Sequence, residues 1–181
     1  MSFDDQAPAP LAGFGVARRL LHWLTVLLLA GSFLLVWSIE WLPEGALRPQ
    51  ALGMHRTMGL VVLALSAVRI LWSLVSARPE ALAAAHWRRA ARGVQVALLA
   101  CLVLVPLLGW TYTNARGHAV SWWGMPLPSL IFKDQYFSRV SRESHELLAY
   151  ILIALIAAHA GAALWHHLVL RDGTLRRMWR G

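Results

Sequence analysis

Cysteine, acidic residues and charge in general are scarce in this chain of 181 residues, and each shortage excludes a class of protein. Cys101 is the single cysteine and lies in an apolar run, so no intrachain disulfide can form and no redox compartment follows from it. The sequence has no Cys-x-x-Cys-His, which excludes a covalently attached c-type haem. Charged residues make up 14% of the chain, whereas a soluble globule uses about a quarter to cover its surface. What is abundant points the other way. Hydrophobic residues reach 58%, mean hydropathy is +0.53, and there are ten Trp, a residue that gathers where membrane meets water. The composition is that of an integral membrane protein. The net charge of +8 comes from basic residues that flank apolar runs and form no continuous stripe, so no nucleic-acid partner is expected. Residues 1–15 are polar, carry Asp4 and Asp5 and lack a basic start, so they are not read as a cleavable signal.

Four apolar stretches, about 20–39, 57–75, 94–112 and 147–169, each have the length needed to cross roughly 30 Å of hydrocarbon as a helix. The expected fold is an all-α, integral membrane four-helix bundle forming a single domain over residues 1–181. Pro106 and Gly109 are expected to kink the third span. The 114–144 segment, with Gly117, Gly124, Pro126 and Pro128, is expected to be the longest loop. Ten arginines, among them Arg18, Arg19, Arg78, Arg88 and Arg180, fall on the side that holds the termini. Six basic residues fall opposite, so both termini are expected in the cytoplasm.

Ionisable residues within spans are costly and point to function. His22 opens the first span on the inner side, and His55 and His145 open the second and fourth on the outer side. His159 follows His145 by fourteen residues, which places both on one helix face about 21 Å apart. His145 is then level with His55, and His159 with His22. Two opposed imidazole pairs at two depths suit axial ligation of two haems; zinc, the main competitor, would need further ligands at each level. Gly59, Ala149, Gly161 and Ala162 are small residues that would make room for a macrocycle. Arg69 lies on the His55 face at the inner level, where it either pairs with a haem propionate or snorkels to headgroups. His166 either donates to a quinone carbonyl or faces headgroups. His86, His118 and His167 are read as solvated or structural.

The stretches Arg19-Leu20-Leu21-His22-Trp23, Met54-His55-Arg56-Thr57-Met58-Gly59, Ala67-Val68-Arg69-Ile70-Leu71, Asn114-Ala115-Arg116-Gly117 and Ser144-His145-Glu146 through His159 to His166-His167, with the tail 171–178, resemble the bacterial cytochrome b561 family. The likeness covers the chain from about Arg18 onward and is greatest to the short, stand-alone branch that includes superoxide oxidase. It implies two haem b groups, held by His22 with His159 and by His55 with His145. It also implies an oxidoreductase of the bacterial inner membrane that passes electrons from periplasmic superoxide to ubiquinone. Two positions depart from the pattern. Arg92 and Gln95 stand where some relatives carry histidines, and Ser144 stands where an aromatic often precedes the ligand.

Superoxide is a small anion, so a cationic funnel near the outer haem would speed its arrival. Arg116, Lys133 and Arg142, with Arg139 and His118 nearby, are the candidates; a solvated loop face is the other reading. A second functional class is a cytochrome b subunit that anchors a partner dehydrogenase or hydrogenase and relays its electrons to quinone. A third is a structural bundle without cofactor.

Overall fold

The computed structural model describes residues 15–75 and 85–179. Four long helices make up most of it: α1 (Val16–Ser38), α2 (Leu47–Val75), α3 (Ala85–Ala115) and α4 (Gln135–Trp165); a short α5 (Thr174–Trp179) follows. Each of the four is long and apolar enough to cross a membrane, as the four apolar runs predicted. Residues 1–14, Arg78 and Arg180 lie outside the described residues, and so do the side chains of His86 and Arg88.

The helices alternate in direction. Ser32 of α1 meets His55 of α2 while Leu21 meets Arg69, and Val105 of α3 meets His145 of α4. The start of α1, the end of α2, the end of α4 and α5 therefore share one end, here the terminal end. The opposite end carries a two-stranded hairpin, β1 (Ser121–Trp122) against β2 (Met125–Pro126), and is called the hairpin end. Its two-residue turn holds Trp123 at φ 46° and Gly124 at φ 83°, the paired left-handed conformation that matches strand twist.

Three helices begin well before the apolar runs, α3 at Ala85 among them. α2 starts at Leu47, with Pro49 in its first turn, where a missing N–H costs nothing. α4 starts at Gln135, so the expected 114–144 loop is shorter than predicted and the polar 135–144 stretch is helical. Asp134 sets that start: its side chain accepts the Phe137 N–H at 2.9 Å, while its own N–H donates to the Ala115 carbonyl at 3.0 Å. His55 and His145 thus lie about two and three turns into their helices, not at the openings.

Polar groups inside the spans are satisfied locally, as hydrocarbon demands. The Thr25, Ser66 and Thr113 hydroxyls each donate to the carbonyl one turn back. α1 packs on α2, α2 on α3 and α3 on α4, and among the described residues the α4 backbone approaches α3 more closely than α1 or α2. The buried core is small: Val62, Cys101, Leu102 and Leu152, with Leu28, Leu29 and Phe33 against it. Leu152 falls midway between His145 and His159, so this plug separates the two histidine levels.

Candidate functional site

The helices bring together the four histidines singled out by spacing. His55 and His145 face each other at the hairpin end with ring centroids 6.1 Å apart. His22 and His159 do the same at the terminal end, 6.3 Å apart. Metal–imidazole nitrogen bonds are about 2.0–2.1 Å and the nitrogen sits ~1.1 Å from its ring centre, so two imidazoles across one metal have centroids about 6.3 Å apart. Both pairs have that spacing. Each pair also joins α4 to a helix other than α3, its closest neighbour: His145 meets His55 of α2 and His159 meets His22 of α1. No three His, Cys, Asp or Glu side chains converge among the described residues, so the donor set suits a two-ligand group such as haem better than bare zinc.

At the hairpin end the rings are held from behind. His145 Nδ1–H donates to the Val105 carbonyl at 2.9 Å. His55 Nδ1–H is shared between the Ser32 hydroxyl at 2.8 Å and the Ser32 carbonyl at 3.3 Å. A carbonyl only accepts, so the proton is on Nδ1 and each Nε2 lone pair is free to ligate. Pro106 interrupts the α3 ladder beside Val105. Gly109, expected only to bend α3, is where the His145 ring rests: a Cβ there would lie 3.2 Å from Cε1 and 3.3 Å from Nδ1. Ser32 and this role of Gly109 escaped the sequence reading, because neither a lone Ser nor a Gly in an apolar run carries a signal of its own.

At the terminal end the imidazoles have no hydrogen bond from a described residue. Arg69 sits at their level, but one of its terminal nitrogens donates to the Leu21 carbonyl at 2.8 Å and the Thr25 hydroxyl at 3.1 Å. It clamps α1 next to His22. Beneath, α5 docks on α1: Trp23 Nε1–H donates to the Met178 carbonyl at 3.2 Å, and Arg19 donates to that of Trp179 at 3.3 Å. Trp23 lies edge-on to both Trp179 and His22, so α5 floors the terminal pair.

His166 lies at the turn from α4 toward α5. Its Nδ1 donates to the Asp172 carboxylate, whose other oxygen accepts the Thr174 N–H at 3.0 Å and holds the start of α5. Burial alone would raise the Asp172 carboxyl, but the hydrogen bonds from Thr174 and His166 outweigh it and hold it below the usual range. A carboxyl lowered on folding stabilises the fold above its unfolded value, and that contribution is lost as pH falls through the lowered one. Asp172→Asn is expected to lower the amide-exchange protection factors across Thr174–Trp179 severalfold at neutral pH, as acid does in the parent once the intrinsic pH dependence of exchange is divided out; hydrogen exchange measures both.

Arg116, Lys133, Arg139, Arg142 and His118 are exposed at the hairpin end. Arg116 lies over the Tyr112 ring at 5.8 Å, and the Lys133 stem runs against Gly117. Arg142 shares its charge with Glu146 at 2.9 Å, one turn on. Of the small residues, Gly59 faces Pro106, and a Cβ on Gly161 would meet nothing within 4 Å. His167 is exposed.

Comparison with known proteins identifies the family. The family described as prokaryotic cytochrome b561 matches residues 13–181. The chain is 27% identical to cytochrome b561 homolog 2 of Escherichia coli, over 91% of this chain and 90% of that protein. It is 30% identical to cytochrome b562 of Cereibacter sphaeroides, over 93% and 96%. It is 26% identical to a probable superoxide oxidase of Yersinia pestis, over 87% and 90%.

Proposed function

Because the chain belongs to the prokaryotic cytochrome b561 family, whose members carry b-type haem in the membrane, we propose that it is a di-haem superoxide:ubiquinone oxidoreductase. The observation that carries this reading is the two imidazole pairs, each spaced for one metal, at opposite ends of a spanning bundle. His55 with His145, and His22 with His159, would each hold one haem, and the haems would supply one-electron transfer between the levels. With both imidazoles of a pair engaged, no position would be left for substrate at the metal, so the chain's part would be orientation, charge and access.

The terminal end is assigned to the cytoplasm of a bacterial inner membrane on the excess of arginine there. At the hairpin end Arg116, Lys133 and Arg142 would attract superoxide, with Glu146 offsetting part of the Arg142 charge. Each superoxide gives up one electron and leaves as oxygen, and two electrons with two protons turn one ubiquinone into quinol. At the terminal end, Arg69 has nitrogens left to meet a haem propionate beyond the bonds that clamp α1. His166, with Nδ1–H committed to Asp172, has Nε2 left to meet a quinone carbonyl, and donates from it when the ring is cationic. The probable superoxide oxidase among the relatives supports the substrate.

The test is direct. The purified, haem-loaded protein is expected to reduce ubiquinone with superoxide faster than buffer does. The rate should fall as ionic strength rises from about 0.01 M to 0.15 M and the screening length shrinks from about 30 Å to 8 Å. A rate equal to buffer ends the assignment. Activity that appears only with a co-purifying larger redox protein supports instead an electron-transfer subunit anchoring a dehydrogenase or hydrogenase.

A further inference from the structure

Hydroxyls inside the spans follow one pattern, with one exception. Among the described residues of α1, α2 and α3, every Ser and Thr but Ser32 donates its hydroxyl to a carbonyl three or four residues back on its own helix. Ser32 of α1, itself buried, instead turns its hydroxyl across to the His55 ring of α2, at 2.8 Å from Nδ1. Its carbonyl lies 3.3 Å from the same nitrogen. One residue thus meets one ring nitrogen with both of its oxygens.

This contact does more than choose the tautomer. An imidazole turns about its Cβ–Cγ bond, a torsion with little preference of its own, and the turn carries Nδ1 sideways. Acceptors fixed at Nδ1 therefore fix the ring plane. His145 of α4 is held likewise from α3, by the Val105 carbonyl at 2.9 Å and by close packing at Gly109. Each ring of the pair grows from one helix and is aimed by another. The two planes are inclined at 82°, near a right angle, against 62° for His22 and His159.

We propose that Ser32 is a positioning residue that holds the His55 plane across that of His145 and so sets the electronic state of the haem between them. The proposal rests on the ligation put forward above. Each axial imidazole donates π electrons into the iron d orbital whose lobes stand out of its ring plane. Crossed planes engage two different d orbitals and leave them close in energy, whereas parallel planes engage one and split the two. Near-degenerate orbitals stabilise the ferric state less, so the hairpin-end haem takes an electron more readily than parallel ligands would allow. Hydrogen bonds behind a ligand are an ordinary means of orienting it and tuning its metal.

The experiment reads electron paramagnetic resonance from the oxidised, haem-loaded protein in detergent or nanodiscs at liquid-helium temperature. Crossed ligand planes give a low-spin ferric signal with a very large highest g value; parallel planes give a rhombic signal with a smaller one. The parent is expected to show two low-spin signals, the more anisotropic from the hairpin-end haem, which His159→Ala assigns by keeping that haem alone. Ser32→Ala leaves the carbonyl as the one acceptor from this residue. Because 82° is already near a right angle, any sizeable turn of the ring lowers the crossing. The highest g value should then fall at the hairpin-end haem only, with haem content unchanged. Ser32→Thr, which keeps the hydroxyl, should retain the parent signal. An unaltered Ser32→Ala spectrum, or equal shifts at both haems, overturns the proposal. So does a rhombic, parallel-plane signal from the hairpin-end haem of the parent, an arm that needs no variant to fold. Haem content separates the two readings. A parent protein with no haem at the hairpin end removes the ligation itself, whereas two haems with an indifferent Ser32 remove only this proposal.

Discussion

Replacing His159 with alanine is expected to lower haem content from about two per chain to about one while the remaining haem keeps its bis-imidazole spectrum. The two levels lie about 21 Å apart along α4 and are separated by the Leu152 plug, so loss of one ligand should not reach the other site. His145→Ala should mirror the result and spare the terminal-end haem. Both variants should lose quinone reduction by superoxide by about 100-fold or more, since either gap breaks the relay, even though each keeps a haem. Haem quantitation with an optical spectrum reads the first effect, and superoxide-driven quinone reduction the second. Two haems retained in either variant overturn the ligand assignment.

Gly109→Val should act on the same site without touching a ligand. A single Cβ would already press on His145 at 3.2 Å, tighter than ordinary van der Waals contact, and a branched side chain must displace the ring. The displaced ring also loses the bond from Nδ1 to the Val105 carbonyl that aims Nε2. Removing such a supporting contact weakens metal-ligand sites by about 10- to 100-fold. Titration of haem into the cofactor-depleted variant should show that loss at the hairpin-end site only, with Gly109→Ala intermediate. Unchanged affinity at both sites would show that the His145 ring has freedom the structure denies it.

The helix count and the four imidazoles were legible in the sequence because both depend on chain-local quantities: apolar run length, and a fourteen-residue spacing that nearly closes four turns. Helix starts were not legible. Gln135–Ser144 is polar, so hydropathy missed it, and only the Asp134 cap marks where α4 begins. Arg69 and His166 stand out in the sequence, but their protein partners, the Leu21 carbonyl and Asp172, depend on how α1 and α5 pack. Ser32, Val105 and Gly109 were invisible as supports for the same reason. A backbone carbonyl has no sequence signature, and a glycine acquires its meaning from whichever ring arrives beside it.

The closer approach of α4 to α3 than to α1 or α2 bears on biogenesis. On the proposed ligation, each iron porphyrin is a staple between two helical hairpins, one contributing His22 and His55 and the other His145 and His159. The translocon can release the chain as two inserted halves joined along α2 and α3. Porphyrin would then add to the apolar cluster around Leu152 in closing the remaining seam, which would tie the last step of maturation to metabolism.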